Sequence, residues 1–306
     1  MWYTHCGSAD PALPGGTACR VDLGSGAGLA ECLAAAAPLG AVVNAAAVSQ
    51  PALCERDPAA AAAVNVPSQL VAALAAAAPA ALLIHVSTDQ VYDGTRPWNR
   101  EGDAAGMRAA NAYGASKRDA EALVTQRWAN HAVLRSSIIV GPAPRAPVGR
   151  PLFLQWLDGA LAGQAPTELF EDEYRSPVCV DDLVAACAEL MRRAEHGPPL
   201  QHRMFNMGGP ERCVRARRSM AERMPLLLRF FSDAARARRL SRADMGDAVA
   251  ALRGHPRANV RRVPSASVSR PVASPADISM DSALAQTELG LTPTPFAEAV
   301  RRAFKL

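Results

Sequence analysis

The 306-residue sequence is short of the residues from which proteins build metal sites and disulfide frameworks. Its seven cysteines are an odd number without a CxxC pair, and its six histidines are equally scattered. Zinc motifs and disulfide-rich folds need closely spaced or evenly paired cysteines, so both are excluded. We therefore expect reduced thiols, no metal site and a cytoplasmic location.

Long hydrophobic runs and a signal-peptide pattern are also missing. Apolar residues make up 49% of the sequence, and alanine is the commonest of them. The alanine runs at 34–37, 59–63 and 75–78 favour helices and are too short to span a bilayer. The first residues lack the charged and then apolar pattern of a secretion signal. The expectation is a globular protein with no membrane segment.

Basic charge is concentrated in one stretch. The net charge is +4, but residues 213–239 alone hold eight arginines and two acids, so the remainder carries −2. A single basic stretch is a poor indication of a nucleic-acid partner, and none is predicted. The stretch is either a basic arm for anionic partners or a surface insertion or gene-model artefact. The second interpretation is favoured, since its removal joins a loop to a helix whose Ser241 and Asp244 form a capping box.

Short apolar segments typical of buried strands alternate with alanine-rich helical segments in the first half of the chain. The predicted strands cover 2–4, 18–23, 41–44, 81–86 and 132–140, and the predicted helices cover 26–37, 58–78 and 113–128. This alternation predicts an α/β fold with a Rossmann-like, doubly wound parallel sheet. After Gly141 the chain is proline-rich and less regular, with one predicted helix at 181–193. We predict a dinucleotide-binding lobe at 1–141 and, at 142–306, mainly a smaller substrate lobe with segments that return to the first.

Two motifs carry the strongest functional signal. The segment Ser87–Gly94 follows the apolar run 81–86, so its hydroxyl groups stand at the end of a buried strand. Tyr113 and Lys117 lie one helical turn apart and share a face. An ammonium beside a phenol lowers the phenol pKa from about 10, so Tyr113 could exchange protons near neutral pH. With Thr88 bonding the same substrate oxygen, the set suits hydride transfer to and from a carbonyl carbon.

Further landmarks run in a fixed order across nearly the whole chain. They are Asn44-Ala45-Ala46-Ala47, Asn65-Val66, Leu134-Arg135, Arg175-Ser176-Pro177, Asp182-Leu183, Arg270-Pro271 and Met280-Asp281. Together with the two motifs they resemble the dTDP-4-dehydrorhamnose reductase family of the extended short-chain dehydrogenase/reductase superfamily. That family also includes the regulatory beta subunit of methionine adenosyltransferase.

The resemblance implies an NADP(H)-dependent oxidoreductase that reduces a 4-keto group on a nucleotide-linked deoxysugar. Tyr113 would protonate the developing alkoxide, and Thr88 would orient the carbonyl. Lys117 would lower the pKa of Tyr113 and hold the nicotinamide ribose. Tyr113 and Lys117 are thus predicted to serve both catalysis and cofactor binding.

Three residues that follow Thr88 are predicted to face the substrate. Asp89, Gln90 and Tyr92 extend the strand end toward it. Gln90 departs from the aromatic residue that bacterial sugar reductases usually have there. Because an amide can hydrogen-bond but cannot stack, this departure leaves the identity of the sugar nucleotide open.

Two arginines are predicted to contact the substrate as well. Arg175 precedes a Ser-Pro pair, and Arg270 precedes Pro271. A guanidinium can bind a diphosphate bidentately, and either arginine could do so here. For Arg175, pairing with Glu171 or Asp182 is an equally good alternative.

The cofactor is predicted to lie along the strand ends of the first lobe. Asn44, Ala45 and Ala46 follow a strand at the face where parallel sheets bind ligands, and the alanines let a dinucleotide approach the backbone. In the resembling family this stretch flanks the nicotinamide dinucleotide. Asn65 would support the active-site loops or be a buried amide satisfied by the backbone.

The remaining cofactor predictions fall near the start of the sequence. Asp22 and Leu23 match family positions that touch the adenine, although Asp22 could instead cap the next helix. His5 follows the first predicted strand, where the family meets the ribose 2′ position. No acid stands there to hydrogen-bond the ribose hydroxyls of NAD, so NADP is favoured and NAD is the alternative.

One part of a dinucleotide-binding fold is missing from the predicted elements. Such a fold begins with a strand and a glycine turn, and the helix after that turn receives the pyrophosphate at its N-terminus. Nothing before Asp22 matches this pattern, and the glycines at 24–28 follow the wrong strand. The expectation is a sheet that lacks its first strand and glycine-rich turn, with low stability and weak NADPH binding.

Two alternatives to an active enzyme stay open. One is a non-catalytic regulatory subunit that binds a partner enzyme, as the methionine adenosyltransferase beta subunit does. The other is an inactive, truncated relative. Retention of Thr88, Tyr113 and Lys117 favours the enzyme, although regulatory relatives keep the tyrosine and the lysine. The predicted partners are therefore a nucleotide-sugar substrate or methionine adenosyltransferase, with the oligomeric state undetermined.

Overall fold

The computed structural model describes residues 1–7, 12–144, 150–210 and 239–306. Apart from Arg239, the basic stretch 213–239 lies outside the described residues. Helices and strands alternate along the chain, as predicted.

The secondary structure divides into two halves along the sequence. The first contains β1 (Trp2–His5), β2 (Thr17–Arg20), α1 (Leu29–Ala35), β3 (Ala41–Asn44), α2 (Pro51–Arg56), α3 (Pro58–Asn65), α4 (Ser68–Ala77), β4 (Leu82–Thr88), α5 (Ala112–Arg127) and β5 (His131–Ser136). The second contains β6 (Ile139–Val140), α6 (Phe153–Leu161), β7 (Thr167–Phe170), β8 (Tyr174–Arg175), β9 (Val178–Cys179), α7 (Val180–His196), β10 (Met204–Met207), β11 (Leu240–Ser241), α8 (Arg242–Arg253), β12 (Val260–Val263), α9 (Ala283–Leu289) and α10 (Phe296–Phe304).

A four-stranded parallel sheet in the order β10-β5-β4-β3 forms the centre of the molecule. Every residue of β5 is buried, and in β4 only Val86 is partly exposed. Strands covered on both faces have continuous apolar sequences, which is why β4 could be predicted. β10 pairs with β5, with Phe205 opposite Leu134, so the second half of the chain returns a strand to this sheet. The predicted α/β, doubly wound parallel fold is confirmed.

β1 and β2 form a separate parallel pair, with Trp2 opposite Thr17. Among the described residues, neither strand pairs with β3. The pair still touches the core of the first half, because Cys19 of β2 packs against the cluster that contains Leu29 of α1 and Leu83 of β4. The parallel sheet is therefore interrupted between β1 and β3, where the doubly wound order places its central strand.

Three predicted elements are shorter or divided in the structure. The predicted helix 58–78 is two helices, α3 and α4, because Pro67 lacks an amide hydrogen and restricts the residue before it. The predicted helix 26–37 begins only at Leu29. Gly28 has φ 81°, and a Cβ there would lie 2.4 Å from the Arg20 carbonyl oxygen, so the turn before the helix requires glycine. The predicted strand 132–140 divides into β5 and β6.

The second half of the chain packs α6, α8 and α10 around one apolar cluster, with Leu157 and Met245 at its interior. The predicted capping box begins α8. Asp244 N donates to Ser241 Oγ at 3.1 Å, and Ser241 N donates to Asp244 Oδ2 at 3.0 Å. Because both hydrogen bonds of the capping box are made, the start of α8 is well defined, and so is the backbone position of its first residue, Arg242.

One apolar stretch passes the length and composition test for a membrane span. Pro58–Ala77 has a mean hydropathy of 1.5, and 33% of its apolar window is buried in the fold. It comprises two helices, α3 and α4, separated at Pro67. Core helices satisfy the same test, so it is weak evidence for a membrane segment.

Candidate active site

The carboxyl ends of β3, β4 and β5 meet at one edge of the central sheet. Each of these strands ends in a buried polar residue, namely Asn44, Thr88 and Ser136. Parallel strands bring their carboxyl ends to a single edge, and open α/β sheets bind ligands there. The residues predicted to be catalytic therefore converge on this edge.

Tyr113 reaches the edge from the first turn of α5. Asn111 is the N-cap of this helix, and its Oδ1 accepts a hydrogen bond from Gly114 N at 2.9 Å. A Cβ at Gly114 would lie 2.2 Å from the Gln90 carbonyl oxygen, so only glycine lets α5 pack against the turn after β4. This packing sets the Tyr113 side chain beside Thr88, whose Oγ1 donates to Asp89 Oδ1 at 3.2 Å.

The pKa of Tyr113 differs from the expectation drawn from the sequence. Burial raises it to about 12, and the neighbouring Thr88 hydroxyl opposes this shift only in part. Asp89 and Cys54 raise the pKa further by charge repulsion. The prediction that Lys117 lowers the pKa of Tyr113 is wrong for this arrangement, because the lysine bonds elsewhere.

Lys117 is a buried cation, only 1% exposed. Its Nζ donates to the Val86 carbonyl oxygen at 2.8 Å and lies 3.1 Å from His85 Nε2. Burial lowers the pKa of Lys117 to about 8, against the attraction of Glu121. Glu121 is itself paired with Arg135 at 2.7 Å. Within the described part of the chain, Lys117 thus has no carboxylate in ion-pair contact.

His85 connects Lys117 to the cofactor edge, and it was missed from the sequence. Its Nδ1 lies 3.2 Å from the Asn44 side-chain amide. Burial, and then the charge of Lys117, lower the pKa of His85 well below its ordinary value, so the ring is neutral. A neutral imidazole offers one donor and one acceptor.

Asp89 and Gln90 stay at the edge, where they were predicted. Ser137 Oγ donates to Asp89 Oδ2 at 2.7 Å. Burial raises the pKa of Asp89, and the positive charge of Arg175 is the largest effect that opposes it. Gln90 Oε1 accepts from Asn111 Nδ2 at 2.9 Å, which ties its side chain to the start of α5.

Tyr92 has a structural position instead of the predicted contact with substrate. Its side chain is 0% exposed. The hydroxyl donates to Asn206 Oδ1 at 2.7 Å and accepts from Arg135 Nη1 at 3.0 Å. The prediction is wrong for Tyr92, because no part of the ring reaches a surface from which it could meet a ligand.

Arg175 and Arg270 come together through a shared acid. Glu173 lies 3.6 Å from Arg175 Nη2 and 2.5 Å from Arg270 Nη2. The alternative partners predicted for Arg175, Glu171 and Asp182, are both wrong. Two guanidiniums that share one carboxylate lie close enough to bond to a single diphosphate, which suits the predicted contact.

A third guanidinium belongs to this group and was missed from the sequence. β11 pairs with β8 and sets Leu240 opposite Arg175, so α8 begins beside this group. The Arg242 guanidinium there lies within electrostatic reach of Arg175, Arg270, Glu173 and Asp89. The interaction joins the first turn of α8 to segments far away in the sequence. No local pattern could have indicated it.

The described residues fit the nicotinamide end of a dinucleotide. Asn44 is 5% exposed at the edge, and the exposed Ala45 and Ala46 follow it with side chains of a single methyl group. Tyr113 and Lys117 lie at the carboxyl end of the adjacent strand. A flat ring and its ribose could therefore approach the backbone between these groups.

At the other end of the predicted cofactor site the fit is poorer. Asp22 Oδ1 accepts from Gly24 N at 2.9 Å, so the carboxylate bonds within the turn before α1. It does not cap α1, the alternative predicted for it, because the N-cap of that helix is Gly28. Leu23 packs on the apolar core. His5 ends β1 with a buried Nδ1 that has no described hydrogen-bond partner. An acid in the glycine turn disfavours a pyrophosphate there.

Asn65 supports the loop after β3, as predicted. Its Oδ1 accepts from Val48 N at 2.7 Å, and its Nδ2 donates to Ser116 Oγ at 2.9 Å. The side chain thus ties the loop that carries Ala45 and Ala46 to the helix that carries Tyr113. Among the described residues, no group of three His, Cys, Asp or Glu could hold a metal ion.

Curated relatives of this chain are beta subunits of methionine adenosyltransferase 2. The subunits from Pongo abelii and Bos taurus are each 29% identical over 174 residues, which is 57% of this chain and 51% of the relative. The chain thus spans about half the length of the curated relatives it matches.

Solved structures similar to this chain are dTDP-4-dehydrorhamnose reductases. The one from Bacillus anthracis, in complex with NADP, has a TM-score of 0.74 at 16% identity, over 97% of this chain and 92% of that chain. The one from Clostridium acetobutylicum has a TM-score of 0.70 at 15% identity, over 99% and 98%. At these identities the likeness shows the fold.

A family model decides the family. The model described as the RmlD substrate binding domain matches residues 8–306, which is nearly the whole chain. The resemblance read from the sequence motifs is confirmed. The chain belongs to the RmlD substrate binding domain family.

Proposed function

From this family membership and the geometry of the sheet edge, we propose that the protein is an NADP(H)-dependent reductase of a nucleotide-linked 4-keto-deoxysugar. The observation that carries the proposal is the packing of Gly114 against the turn after β4, which sets Tyr113 beside Thr88 and one helical turn from the buried cation Lys117. A phenol, a hydroxyl and an ammonium around one point can bind and protonate a carbonyl oxygen.

Tyr113 is the proton donor in this proposal. When bound, NADPH would supply the hydride to the carbonyl carbon. A pKa of about 12 keeps the phenol protonated at neutral pH, so it is ready to give its proton to the oxygen as negative charge develops. Thr88 would donate a second hydrogen bond to the same oxygen. Lys117 would act on the cofactor, because its ammonium bonds to the Val86 carbonyl oxygen and His85 and not to the phenol.

Asn44, Ala45 and Ala46 would hold the nicotinamide and its ribose, together with Lys117. NADP is the proposed form, and two observations support it. Neither of the described residues that directly follow β1, Cys6 and Gly7, is an acid that could bind ribose hydroxyls, and the Bacillus anthracis reductase with this fold was solved with NADP. The residues 1–141 would be the dinucleotide-binding lobe, and 142–306 would mainly bind the substrate.

Asp89 and Gln90 would bind the sugar, and Arg175 and Arg270 the diphosphate of the substrate. The two guanidiniums share the carboxylate of Glu173, so they lie close enough for both to bond to one incoming diphosphate. We place the enzyme in the cytoplasm, because the six described cysteines are free thiols.

A second function is favoured by one observation, the identity of the curated relatives. The relatives from Pongo abelii and Bos taurus are both beta subunits of methionine adenosyltransferase 2. Under this alternative, the protein binds a methionine adenosyltransferase and regulates it, and Tyr113 and Lys117 serve cofactor binding alone.

The two functions separate in one pair of assays on the purified full chain. NADPH oxidation at 340 nm is followed with a dTDP-4-keto-6-deoxysugar, and binding of methionine adenosyltransferase is followed by pull-down. The proposal expects sugar-dependent oxidation that Tyr113→Phe abolishes. Absence of oxidation together with capture of the transferase would establish the alternative, and absence of both would indicate an inactive relative.

A further inference from the structure

Arg242 is the most unusual charge in the described structure outside the catalytic residues. Its guanidinium carbon lies 4.7 Å from the centre of the Phe153 ring, and the side chain is only partly exposed. Among the described residues, no carboxylate lies within ion-pair distance of it, and none of the described hydrogen bonds involves it. Removing a guanidinium from water without a partner costs free energy. An arginine in such a position is therefore a candidate for binding a ligand.

The acids near Arg242 already form ion pairs or hydrogen bonds with other groups. Glu173 pairs with Arg270 at 2.5 Å, lies 3.6 Å from Arg175, and accepts from Ser274 Oγ at 3.0 Å. Asp89 accepts from Ser137 Oγ at 2.7 Å. The first turn of α8 therefore adds a charge that neither carboxylate neutralises.

The three arginines together carry an excess of positive charge. Arg175, Arg242 and Arg270 face two carboxylates, Asp89 and Glu173, which leaves a net charge of +1 among these groups. Arg175 and Arg270 act on Arg242 as like charges, and burial with this repulsion lowers the pKa of Arg242 to about 10. Arginines that repel one another at a partly buried site gain most from an anion with several oxygens, which can bond to more than one guanidinium at once.

Position identifies the anion. Asp89 follows Thr88 directly, so the arginine group lies beside the catalytic edge. Its members come from the second half of the chain, whereas the residues that fit the nicotinamide lie on β3, β4 and α5. We propose that Arg242 binds the diphosphate of the nucleotide-linked substrate together with Arg175 and Arg270. This inference rests on the proposed function for the substrate class.

The same helix offers a matched control. Arg253, in the last turn of α8, also lies over an aromatic ring, with its guanidinium carbon 4.4 Å from the centre of Phe304. Unlike Arg242, it has a carboxylate partner, since Arg253 Nε lies 2.9 Å from Asp158 Oδ1. The two arginines thus share a helix and a ring contact and differ in their partner.

The test compares Arg242→Met, Arg242→Lys and Arg253→Met in the full chain. The melting temperature and the Kd are measured with inorganic pyrophosphate, with dTDP and with NADPH. Methionine can still pack on the phenylalanine. Without ligand, we expect Arg242→Met to melt at or above the wild-type temperature, because an uncompensated charge is gone. Arg253→Met should melt slightly lower, because Asp158 loses one of its two partners and keeps only His255.

Ligand binding should separate the variants further. We expect Arg242→Met to weaken dTDP and pyrophosphate binding about tenfold or more, the size of one lost charge-assisted contact. Arg242→Lys should recover part of this loss, and Arg253→Met should bind like wild type. NADPH binding should change little in every variant. The arginines of 213–239 are present in all four proteins, so they cannot account for a difference between Arg242→Met and wild type.

The outcomes distinguish this inference from the proposal beneath it. A wild type that binds pyrophosphate through Arg242 but shows no affinity for dTDP supports the arginine site and contradicts the nucleotide sugar. If Arg242→Met binds dTDP and pyrophosphate as the wild type does, or if the loss falls on NADPH instead, the inference is wrong. A wild type that binds neither anion overturns it as well.

Discussion

Tyr92 and Tyr113 show how one side chain is used differently in two buried parts of the same protein. Tyr92 is 0% exposed and Tyr113 is 9% exposed, and burial raises the pKa of each to about 12. The hydroxyl of Tyr92 bonds to Arg135 and Asn206. That of Tyr113 makes none of the hydrogen bonds found among the described residues and lies beside Thr88. A shifted pKa therefore does not separate a structural tyrosine from a functional one, whereas the number of hydrogen bonds already made does.

The two cations beside these tyrosines differ in the same way. Arg135 Nε and Nη2 bond both oxygens of Glu121 at 2.9 and 2.7 Å, which raises the pKa of Arg135 despite its burial. Lys117 has no described carboxylate partner, and burial lowers its pKa to about 8. We call Tyr92, Glu121, Arg135 and Asn206 the paired cluster. We call His85, Thr88, Tyr113 and Lys117 the open cluster. The paired cluster stabilises the fold, whereas the open cluster keeps bonding capacity for ligands at some cost in stability.

The largest effect is expected from Arg135→Met. The substitution leaves the Glu121 carboxylate buried and unpaired, and breaking a buried pair in this way costs about 3–5 kcal/mol. Urea unfolding should show this loss in the free energy of unfolding. A variant as stable as wild type would mean that the paired cluster does not hold the fold together.

A similar substitution in the open cluster, Lys117→Met, should act in the opposite direction. Folding lowers the pKa of Lys117 from 10.5 to about 8, so the folded state binds fewer protons between these values. The free energy of unfolding of wild type should therefore rise between pH 8 and 10.5 relative to the variant, by roughly 3 kcal/mol. Urea unfolding across this pH range measures the difference.

At neutral pH the cost of burying the charged lysine is present in full, so Lys117→Met should be at least as stable as wild type. A variant that is less stable at pH 7, with a pH dependence parallel to that of wild type, would show that Lys117 is structurally paired. The distinction between a stabilising paired cluster and a destabilising open cluster would then be wrong.

A smaller effect is expected from Tyr92→Phe. Removing the hydroxyl leaves buried partners on Arg135 and Asn206 unsatisfied, which costs about 1–3 kcal/mol. The thermal midpoint should fall, while kcat measured below that midpoint should stay close to the wild-type value. A large loss of kcat in a folded Tyr92→Phe protein would restore the substrate role predicted for this residue from the sequence.

The sequence predicted the open cluster better than the paired one, for a physical reason. Thr88, Tyr113 and Lys117 lie within single elements, so strand and helix periodicity was enough to bring them to one edge. The partners of Tyr92 come from separate elements, with Asn206 on β10 and Arg135 on β5. No local spacing encodes such contacts, and for this reason Tyr92 was assigned to the substrate and Arg242 was missed.

Local chemistry also explains which parts of the fold were predictable. The buried apolar run of β4 and the capping box of α8 are both properties of a few adjacent residues. The break at Pro67 is local as well, but the alanines on either side of it outweighed it in the prediction. Lys117 was expected against Tyr113 because both share a helix face. The position of its ammonium was decided instead by His85 and the Val86 carbonyl of β4.

The most direct test of the proposed mechanism measures kcat and thermal midpoint for Tyr113→Phe and Tyr92→Phe side by side, in the full chain with NADPH and a dTDP-4-keto-6-deoxysugar. We predict that Tyr113→Phe loses roughly 10²-fold or more in kcat, the usual range for a lost general acid. Its midpoint and NADPH affinity should be nearly unchanged, whereas Tyr92→Phe should lose stability and keep its kcat. If both variants lose stability and neither loses kcat, Tyr113 is a structural residue and the proposed mechanism is contradicted.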